Sequence, residues 1–203
     1  MKKIPTLFER EYENHKVIGI IDKVHPGMEW VLHGEGVATE KIDGSCCAMI
    51  RGALYGNGSC KFYEDVFSKR FTAKSGREIP PYALPCCDPD PVTGNRPYWV
   101  PISPSKPVDK WYWEAFSNFV RNGDIEVATY EAIGPHFQGN PYKLEKDTLR
   151  KHGDKILKDV PRSFLGIKDY LSQHNIEGIV FWKDGEPQCK IKRSDFGFPW
   201  NKK

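Results

Sequence analysis

Short runs of apolar and β-branched residues, separated by Gly, Pro and Asp, make up the first half of the chain. Val37–Lys41 and Ser45–Ile50 have the composition of strands. The Asp-Gly pair in the Ile42-Asp43-Gly44 segment between them predicts a hairpin or a tight turn. A further turn over 54–58 and a strand over 60–63 follow.

Two segments of the second half have the spacing of amphipathic helices, 110–121 and 163–174. Each places its larger apolar side chains on one face. These residues are Trp111, Ala115, Phe116 and Phe119 in the first segment, and Phe164, Ile167, Tyr170 and Leu171 in the second. Both helices are therefore expected to pack with that face against a core.

The remaining pattern predicts strands and one long connection. Residues 124–133 form a strand that ends at Gly134-Pro135, and 178–182 pairs with 188–192 as a hairpin across Asp184-Gly185. The segment 77–107, rich in Pro, Gly, Asp and aromatic residues, is expected to be an ordered loop. The pattern predicts an α+β fold with mostly antiparallel strands.

Composition excludes several classes of protein. The chain has 203 residues, of which 39% are hydrophobic and 28% charged, which disfavours disorder and predicts a single domain over 1–203. The net charge of +3 is mild for a nucleic-acid-binding protein. No apolar run approaches the ~18 residues of a membrane span, and the N-terminus does not have the pattern of a signal peptide.

The six cysteines include two adjacent pairs and no CxxC spacing, so a zinc site is disfavoured. Without an export signal, we expect these cysteines to be reduced thiols of a cytoplasmic protein.

Several polar residues are candidates for chemistry, although each is a weak signal by itself. Lys41 is the last residue of a predicted strand, directly before a tight turn, so its amine is a candidate nucleophile, although a surface lysine has the same pattern. Glu177 begins a buried strand, either as a strand-end charge in solvent or as a ligand in a cleft. Lys190 and Lys192 lie on one face of a strand, where their repulsion favours a phosphate between them. Glu131 is a further strand-end carboxylate.

The order of these residues is more specific than each alone. Lys41-Ile42-Asp43-Gly44, Arg70, Glu131, Glu177-Gly178 and Lys190-Ile191-Lys192 resemble the motifs of the covalent nucleotidyltransferase superfamily, which comprises ATP-dependent DNA ligases, RNA ligases and mRNA-capping guanylyltransferases. The segments ATEKIDGSCC, EAIGPHFQGNPY, EGIVFW and KIKRSDFG are most similar to small 5′-phosphate/3′-hydroxyl RNA ligases. The resemblance covers about Val37 to Trp200.

The resemblance implies a ligase adenylation fold, ATP-grasp-like, in which antiparallel sheets are flanked by helices. It implies an enzyme of RNA repair whose Lys41 attacks the α-phosphorus of ATP to form lysyl-AMP. The AMP then passes to an RNA 5′-phosphate, and a 3′-hydroxyl displaces it. Lys190 and Lys192 would offset phosphate charge in this in-line chemistry.

The resemblance also implies roles for the other motif residues. Glu177 would bind Mg²⁺ or Mn²⁺, and Glu131 would either support the metal or accept a hydrogen bond from a ribose hydroxyl. Arg70 would contact the ribose or the 5′-phosphate. The backbone of Glu40 and Ile42 would contact adenine, and Gly44 would supply backbone freedom to the turn.

Other functions remain as alternatives. A DNA ligase or a capping-type guanylyltransferase has the same core. A non-catalytic protein that binds nucleotides or RNA ends would keep the nucleotide-binding pocket of such enzymes. The retention of Lys41, Glu177, Lys190 and Lys192 argues against a decayed enzyme. The motifs extend from residue 41 to residue 192, so no appended OB-fold or C-terminal domain is expected, and the basic segments of the core or a partner would have to hold the RNA.

Overall fold

The computed structural model describes residues 3–14, 16–56, 59–74, 77–121, 123 and 125–200. The helices are α1 (Lys110–Val120) and α2 (Phe164–Gln173). The strands are β1 (Phe8–Glu13), β2 (Lys16–Val24), β3 (Val37–Lys41), β4 (Ser45–Gly56), β5 (Ser59–Ala73), β6 (Leu84–Pro85), β7 (Arg96–Pro101), β8 (Ala128–Ile133), β9 (Thr148–Lys151), β10 (Gly178–Lys183) and β11 (Glu186–Lys192).

The strands form three sheets, with the orders β1-β2, β11-β10-β3 and β6-β7-β5-β4-β8-β9. The pairings between these strands are antiparallel. The α+β fold with mostly antiparallel sheets is therefore confirmed. Within the described part of the chain, no helix is long and apolar enough to cross a membrane.

One compact unit consists of Asp43–His152 and contains the six-stranded sheet and α1. Its core combines buried sheet residues such as Cys47, Phe67 and Tyr130 with the apolar face of α1. Ala115 is fully buried, and Trp111, Phe116 and Phe119 pack against the same cluster. The predicted helix and its buried face are thus confirmed.

A second compact unit consists of Lys3–Ile42 and 153–200, and contains the two smaller sheets and α2. Its core includes Phe8, Ile179, Phe181 and Ile191 together with the apolar face of α2. That face consists of buried Ile167 and Leu171 and partly buried Phe164 and Tyr170, as predicted. The prediction of a single domain over 1–203 stays a prediction.

Local capping and turn geometry explain why α2 and the β10–β11 hairpin form where the sequence predicts them. The Ser163 hydroxyl accepts a hydrogen bond from the Gly166 N–H at 3.1 Å and so caps the first turn of α2. Asp184 and Gly185, between β10 and β11, have φ values of 54° and 77°. Positive φ at both central residues is the geometry of a type I′ turn, which matches the twist of a hairpin.

Of the two alternatives predicted for Asp43-Gly44, a hairpin or a tight turn, the hairpin is wrong. β3 pairs with β10, whereas β4 pairs with β5 and β8, so the two strands flanking this turn belong to different sheets. The chain passes from the second unit to the first between Ile42 and Asp43. A tight turn permits a hairpin but does not require it, because contacts between segments far apart in the chain determine which strands pair.

The predicted loop over 77–107 contains two strands, β6 and β7. Tyr98 and Trp99 are buried in β7, whereas Tyr82 is 68% exposed. The N-terminal β1 and β2 and the short β9 were also not predicted, since β1 (FEREYE) is too polar to stand out by composition. The turn predicted over 54–58 includes residues 57–58, which lie outside the described residues.

Gly178, the first residue of β10, occupies a place where a side chain does not fit. A Cβ built there would lie 2.2 Å from the Ile191 carbonyl oxygen and 2.9 Å from the Lys192 Cα. Both atoms belong to the backbone of β11 and cannot move independently of the sheet. Close packing of two strands is therefore the reason for a glycine at this position.

We expect Gly178→Ala to lower the free energy of unfolding by about 1–3 kcal/mol, the usual cost of overpacking. Gly19→Ala in β2 is the matched control, because nothing lies within 4 Å of a Cβ built at Gly19. Urea unfolding of the three proteins measures the effect. Equal midpoints for the two variants would contradict this account of Gly178.

Candidate active site

The three-stranded sheet brings two of the candidate lysines together across Gly178. In the register of this sheet, Gly178 pairs with Lys41 of β3 on one side and with Lys192 of β11 on the other. Residues that pair directly across strands point to the same face of a sheet. Lys41 and Lys192 therefore extend from the same face, one on each side of Gly178.

Lys190 shares this face, because it lies two residues before Lys192 on β11. It pairs with Val180, two residues after Gly178. The opposite face carries Ile179 and Ile191, which are fully buried in the core. One face of the sheet therefore belongs to the core, and the other carries three lysines.

The carboxylate of Glu177 binds two of these lysines. Its Oε2 lies 2.6 Å from Lys41 Nζ, and its Oε1 lies 3.2 Å from Lys192 Nζ. The Glu177 side chain is only 5% exposed, whereas the Lys41 side chain keeps 18% of its surface in contact with solvent. The structure thus brings Lys41, Glu177, Lys190 and Lys192 together, with the carboxylate inside and an amine within reach of a ligand.

Arg193 fixes the backbone that carries Glu177. Its N–H donates to the Glu177 carbonyl at 2.8 Å, and its guanidinium donates to the carbonyls of Leu171 and His174 at the end of α2. Glu177 is therefore held from both the strand and the helix. This support orients the carboxylate before any ligand arrives.

The pKa of the Lys190 ammonium is lowered from 10.5 to about 8. Burial is the largest cause, followed by repulsion from Lys41, Lys192 and Arg10, and the Glu177 carboxylate acts in the opposite direction. The cations around Lys190 therefore lower its pKa by more than the nearby carboxylate raises it. An excess of positive charge of this kind favours the binding of an anionic ligand.

Glu40 and Ile42 flank Lys41 on β3 and in the turn that follows. Glu40 is buried, its carboxylate pairs with Lys155, and its backbone N–H already donates to the Lys155 carbonyl at 2.9 Å. The Ile42 carbonyl accepts a hydrogen bond from Lys41 Nζ at 3.4 Å. The adenine contacts expected of these two backbones stay predictions, and the Glu40 N–H is not free to serve in them.

Gly44 lies in the first unit, and the reason expected for it is wrong. Its φ is not in the left-handed region. A Cβ at Gly44 would instead lie 2.4 Å from the Ala132 carbonyl oxygen and 2.8 Å from the Ile133 side chain. The close approach of β8 requires this glycine, and the adjacent Asp43 N–H donates to the Tyr142 hydroxyl at 2.8 Å.

Arg70 and Glu131 lie on the face of the six-stranded sheet opposite α1. Glu131 pairs directly with Cys46 of β4, and the neighbouring pair Cys47–Lys69 leaves Arg70 on the same face as Cys46. Burial, then repulsion by Glu131, raises the pKa of the Cys46 thiol to about 12, while Arg70 has the opposite effect. Both charged groups therefore lie near this thiol, which is too weak an acid to act as a nucleophile.

Glu131 is held by a histidine that was not among the predicted site residues. Its Oε1 lies 3.3 Å from His152 Nε2, and His152 Nδ1 lies 2.8 Å from the Thr129 hydroxyl. The other oxygen, Glu131 Oε2, is buried and has no hydrogen-bond partner among the described residues. The arrangement orients one carboxylate oxygen and leaves the second available to a donor from a ligand.

No group of three or more His, Cys, Asp or Glu side chains suited to a metal ion occurs within the described residues. Mg²⁺ usually takes only one or two protein carboxylates and completes its coordination with phosphate oxygens and water. Glu177 on the lysine-bearing face fits that limited role. Its oxygens now contact Lys41 and Lys192, so a metal would have to replace one of these ammonium groups.

No family model and no curated protein matches this chain. Its residues and their geometry are therefore what indicate a function.

The lowered pKa of Lys190 predicts a pH-dependent stability. Between the folded pKa of about 8 and the ordinary value of 10.5, the unfolded chain binds more protons than the folded one. The contribution of Lys190 to the free energy of unfolding therefore rises with pH across this window. Below it, the charged lysine costs stability.

We expect Lys190→Met to be more stable than the wild-type protein at about pH 7, with a difference that shrinks towards about pH 10. Denaturant unfolding at a series of pH values measures this. Lys168→Met, on the exposed face of α2, is the control and should show no such trend. A Lys190→Met difference that is independent of pH would exclude the proposed electrostatic cause.

Proposed function

We propose that the protein is an ATP-dependent RNA ligase that works through a lysyl-AMP intermediate. The observation that carries the proposal is the row Lys41–Gly178–Lys192, with the buried Glu177 carboxylate between the two lysines and Lys190 on the same face. A nucleophilic amine, an orienting carboxylate and two further cations are what nucleotidyl transfer from a triphosphate requires. The nucleotidyltransferase fold is part of this proposal.

Lys41 is the proposed nucleophile. Its Nζ forms a bond to the α-phosphorus of ATP, the bond from that phosphorus to the bridging oxygen of the β-phosphate breaks, and pyrophosphate leaves with the electron pair. The attack needs a free amine, so the contact with Glu177 at 2.6 Å has to open or pass a proton to the carboxylate. The ion pair holds Lys41 in place until ATP binds.

Lys190 and Lys192 are the proposed phosphate ligands. Both extend from the face that carries Lys41, and their charges would offset the charge that develops on the α-phosphate oxygens. Since in-line displacement at phosphorus depends on positioning and charge neutralisation, rigid strands are a suitable support for them.

Mg²⁺ or Mn²⁺, when bound, would neutralise phosphate charge, and Glu177 is the residue proposed to hold it. In the first unit, Glu131 is proposed to accept a hydrogen bond from a ligand hydroxyl, because Oε2 is a buried acceptor without a partner among the described residues. The nucleotide contacts expected of Arg70, Gly44, Glu40 and Ile42 belong to the same proposal.

RNA with 5′-phosphate and 3′-hydroxyl ends is the proposed polynucleotide. The segments EKIDGSCC, EGIVFW and KIKRSDFG, which resemble small RNA ligases, support this choice over DNA. The proposed compartment is the cytoplasm, where thiols such as the free Cys46 and Cys189 stay reduced.

We expect incubation with ATP and Mg²⁺ to add one AMP covalently to the protein, as measured by intact mass. Lys41→Ala should form no adduct, and Lys192→Ala should form it roughly 10²–10³ times more slowly, the usual loss when one transition-state charge contact is removed. Lys183→Ala is the control, because Lys183 ends β10 away from Gly178 and pairs with Glu35.

The alternative functions predict different changes in the mass of the protein. A GMP adduct from GTP would indicate a capping-type guanylyltransferase. If ATP binds to the folded protein but neither nucleotide forms an adduct, the protein is a non-catalytic binder and the ligase proposal is wrong.

We expect the adenylylated protein to seal 5′-phosphorylated RNA about two- to tenfold faster than DNA of the same sequence. One additional hydrogen bond to a 2′-hydroxyl, worth roughly 0.5–1.5 kcal/mol, accounts for a factor of this size. Gel analysis of end-labelled strands measures the rates. Faster sealing of DNA would reassign the protein to the DNA ligases.

A further inference from the structure

We propose that Arg10, on the N-terminal β1–β2 hairpin, is an additional phosphate ligand of the lysine-bearing face and binds the pyrophosphate portion of the triphosphate. The sequence motifs do not include this residue. The inference deepens the proposed function and rests on it. Its physical basis is the attachment of the hairpin to β11, an unsatisfied donor and the local excess of positive charge.

The segment that precedes β1 is attached to β11 at Lys190 itself. The Lys190 N–H donates to the Pro5 carbonyl at 3.0 Å, and the Leu7 N–H donates to the Lys190 carbonyl at 2.8 Å. Thr6 is thereby the parallel partner of Lys190. Arg10 follows four residues after Thr6, in β1, where it pairs with Ile20 of β2.

The Nε of Arg10 is a buried hydrogen-bond donor. Within the part of the chain that the structure describes, this atom makes no hydrogen bond. Buried polar groups are nearly always satisfied in native proteins, so an orphaned guanidinium N–H calls for an explanation. A ligand oxygen that accepts this hydrogen bond supplies one.

The charge around Arg10 indicates what kind of ligand this is. Arg10, Lys41 and Lys192 all act on the Lys190 ammonium as like charges, and Glu177 is the opposing carboxylate among the groups that act on it. Four cations and one anion favour a ligand with several negative charges. A guanidinium suits phosphate particularly well, because its planar fork donates two parallel hydrogen bonds.

The pyrophosphate portion is favoured over the α-phosphate by the position of Lys41. Glu177 links Lys41 to Lys192 by direct ion pairs, whereas Arg10 is related to the cluster through Lys190. In-line displacement places the leaving pyrophosphate on the side of the α-phosphorus away from the nucleophile. Among the described residues of this cluster, two cations, Lys190 and Arg10, have no such ion pair, and Arg10 is the one that lies on a different sheet from Lys41. Arg10 is therefore assigned to the leaving group.

The test compares the chemical step that releases pyrophosphate with the step that releases AMP. We expect Arg10→Gln to lower kcat/KM for lysyl-AMP formation about 10- to 100-fold, the usual effect of losing a charge-assisted hydrogen bond, mostly through the KM for ATP. Arg10→Lys should recover part of the loss. Sealing of pre-adenylylated RNA should lose much less, because its diphosphate linkage has no γ-phosphate and the group that leaves is AMP rather than pyrophosphate.

Lys23→Gln is the matched control, because Lys23 lies on the same hairpin, is 65% exposed and pairs with Glu9. It should leave both reactions unchanged. Thermal unfolding of all variants tests whether the hairpin is intact. Equal losses in lysyl-AMP formation and in sealing, or an unchanged KM in Arg10→Gln, would overturn the assignment to pyrophosphate.

Binding of inorganic pyrophosphate, measured by calorimetry, gives a readout that does not depend on catalysis. The wild-type protein and Lys23→Gln should bind pyrophosphate about tenfold or more tightly than Arg10→Gln. If the wild-type protein forms no lysyl-AMP but Arg10→Gln still weakens pyrophosphate binding, the proposed function fails and the site remains. If lysyl-AMP forms and pyrophosphate binding is equal in all variants, the inference about Arg10 fails alone.

Discussion

The ion pairs of the buried Glu177 carboxylate are the interaction on which the candidate site depends. Taking a carboxylate out of water is costly unless cations and hydrogen bonds compensate for it. Here the compensation comes from Lys41 on one neighbouring strand and Lys192 on the other. These two ion pairs offset the cost of burying Glu177. They also hold Lys41, the proposed nucleophile, close to Lys192, a proposed phosphate ligand.

This arrangement requires a residue without a side chain between the two lysines. Gly178 meets the requirement, and the backbone of β11 lies too close to it for even a methyl group. The sheet therefore fixes the lysines by register and the carboxylate by its place directly before the strand. A site built on strands in this way loses little entropy when a ligand binds, since the reactive groups are already aligned.

The excess of positive charge around Lys190 is the second constraint, and two features of the site are related to it. Repulsion among cations contributes to the lowered pKa of Lys190, and the buried Nε of Arg10 has no acceptor among the residues that the structure describes. Both features cost stability in the protein alone and both are relieved by a polyanion. Residues that destabilise the folded protein in this way are typical of binding sites, where the ligand supplies the missing interaction.

The sequence by itself determined both helices with their buried faces, the β10–β11 hairpin and the common face of Lys190 and Lys192, because helical spacing, strand alternation and turn chemistry are local. Only the tertiary structure decided that Gly178 lies between Lys41 and Lys192, that the Asp43-Gly44 turn joins two sheets, and that Arg10 acts on Lys190. Strand register and partner choice depend on contacts between segments far apart in the chain, and no local pattern encodes them.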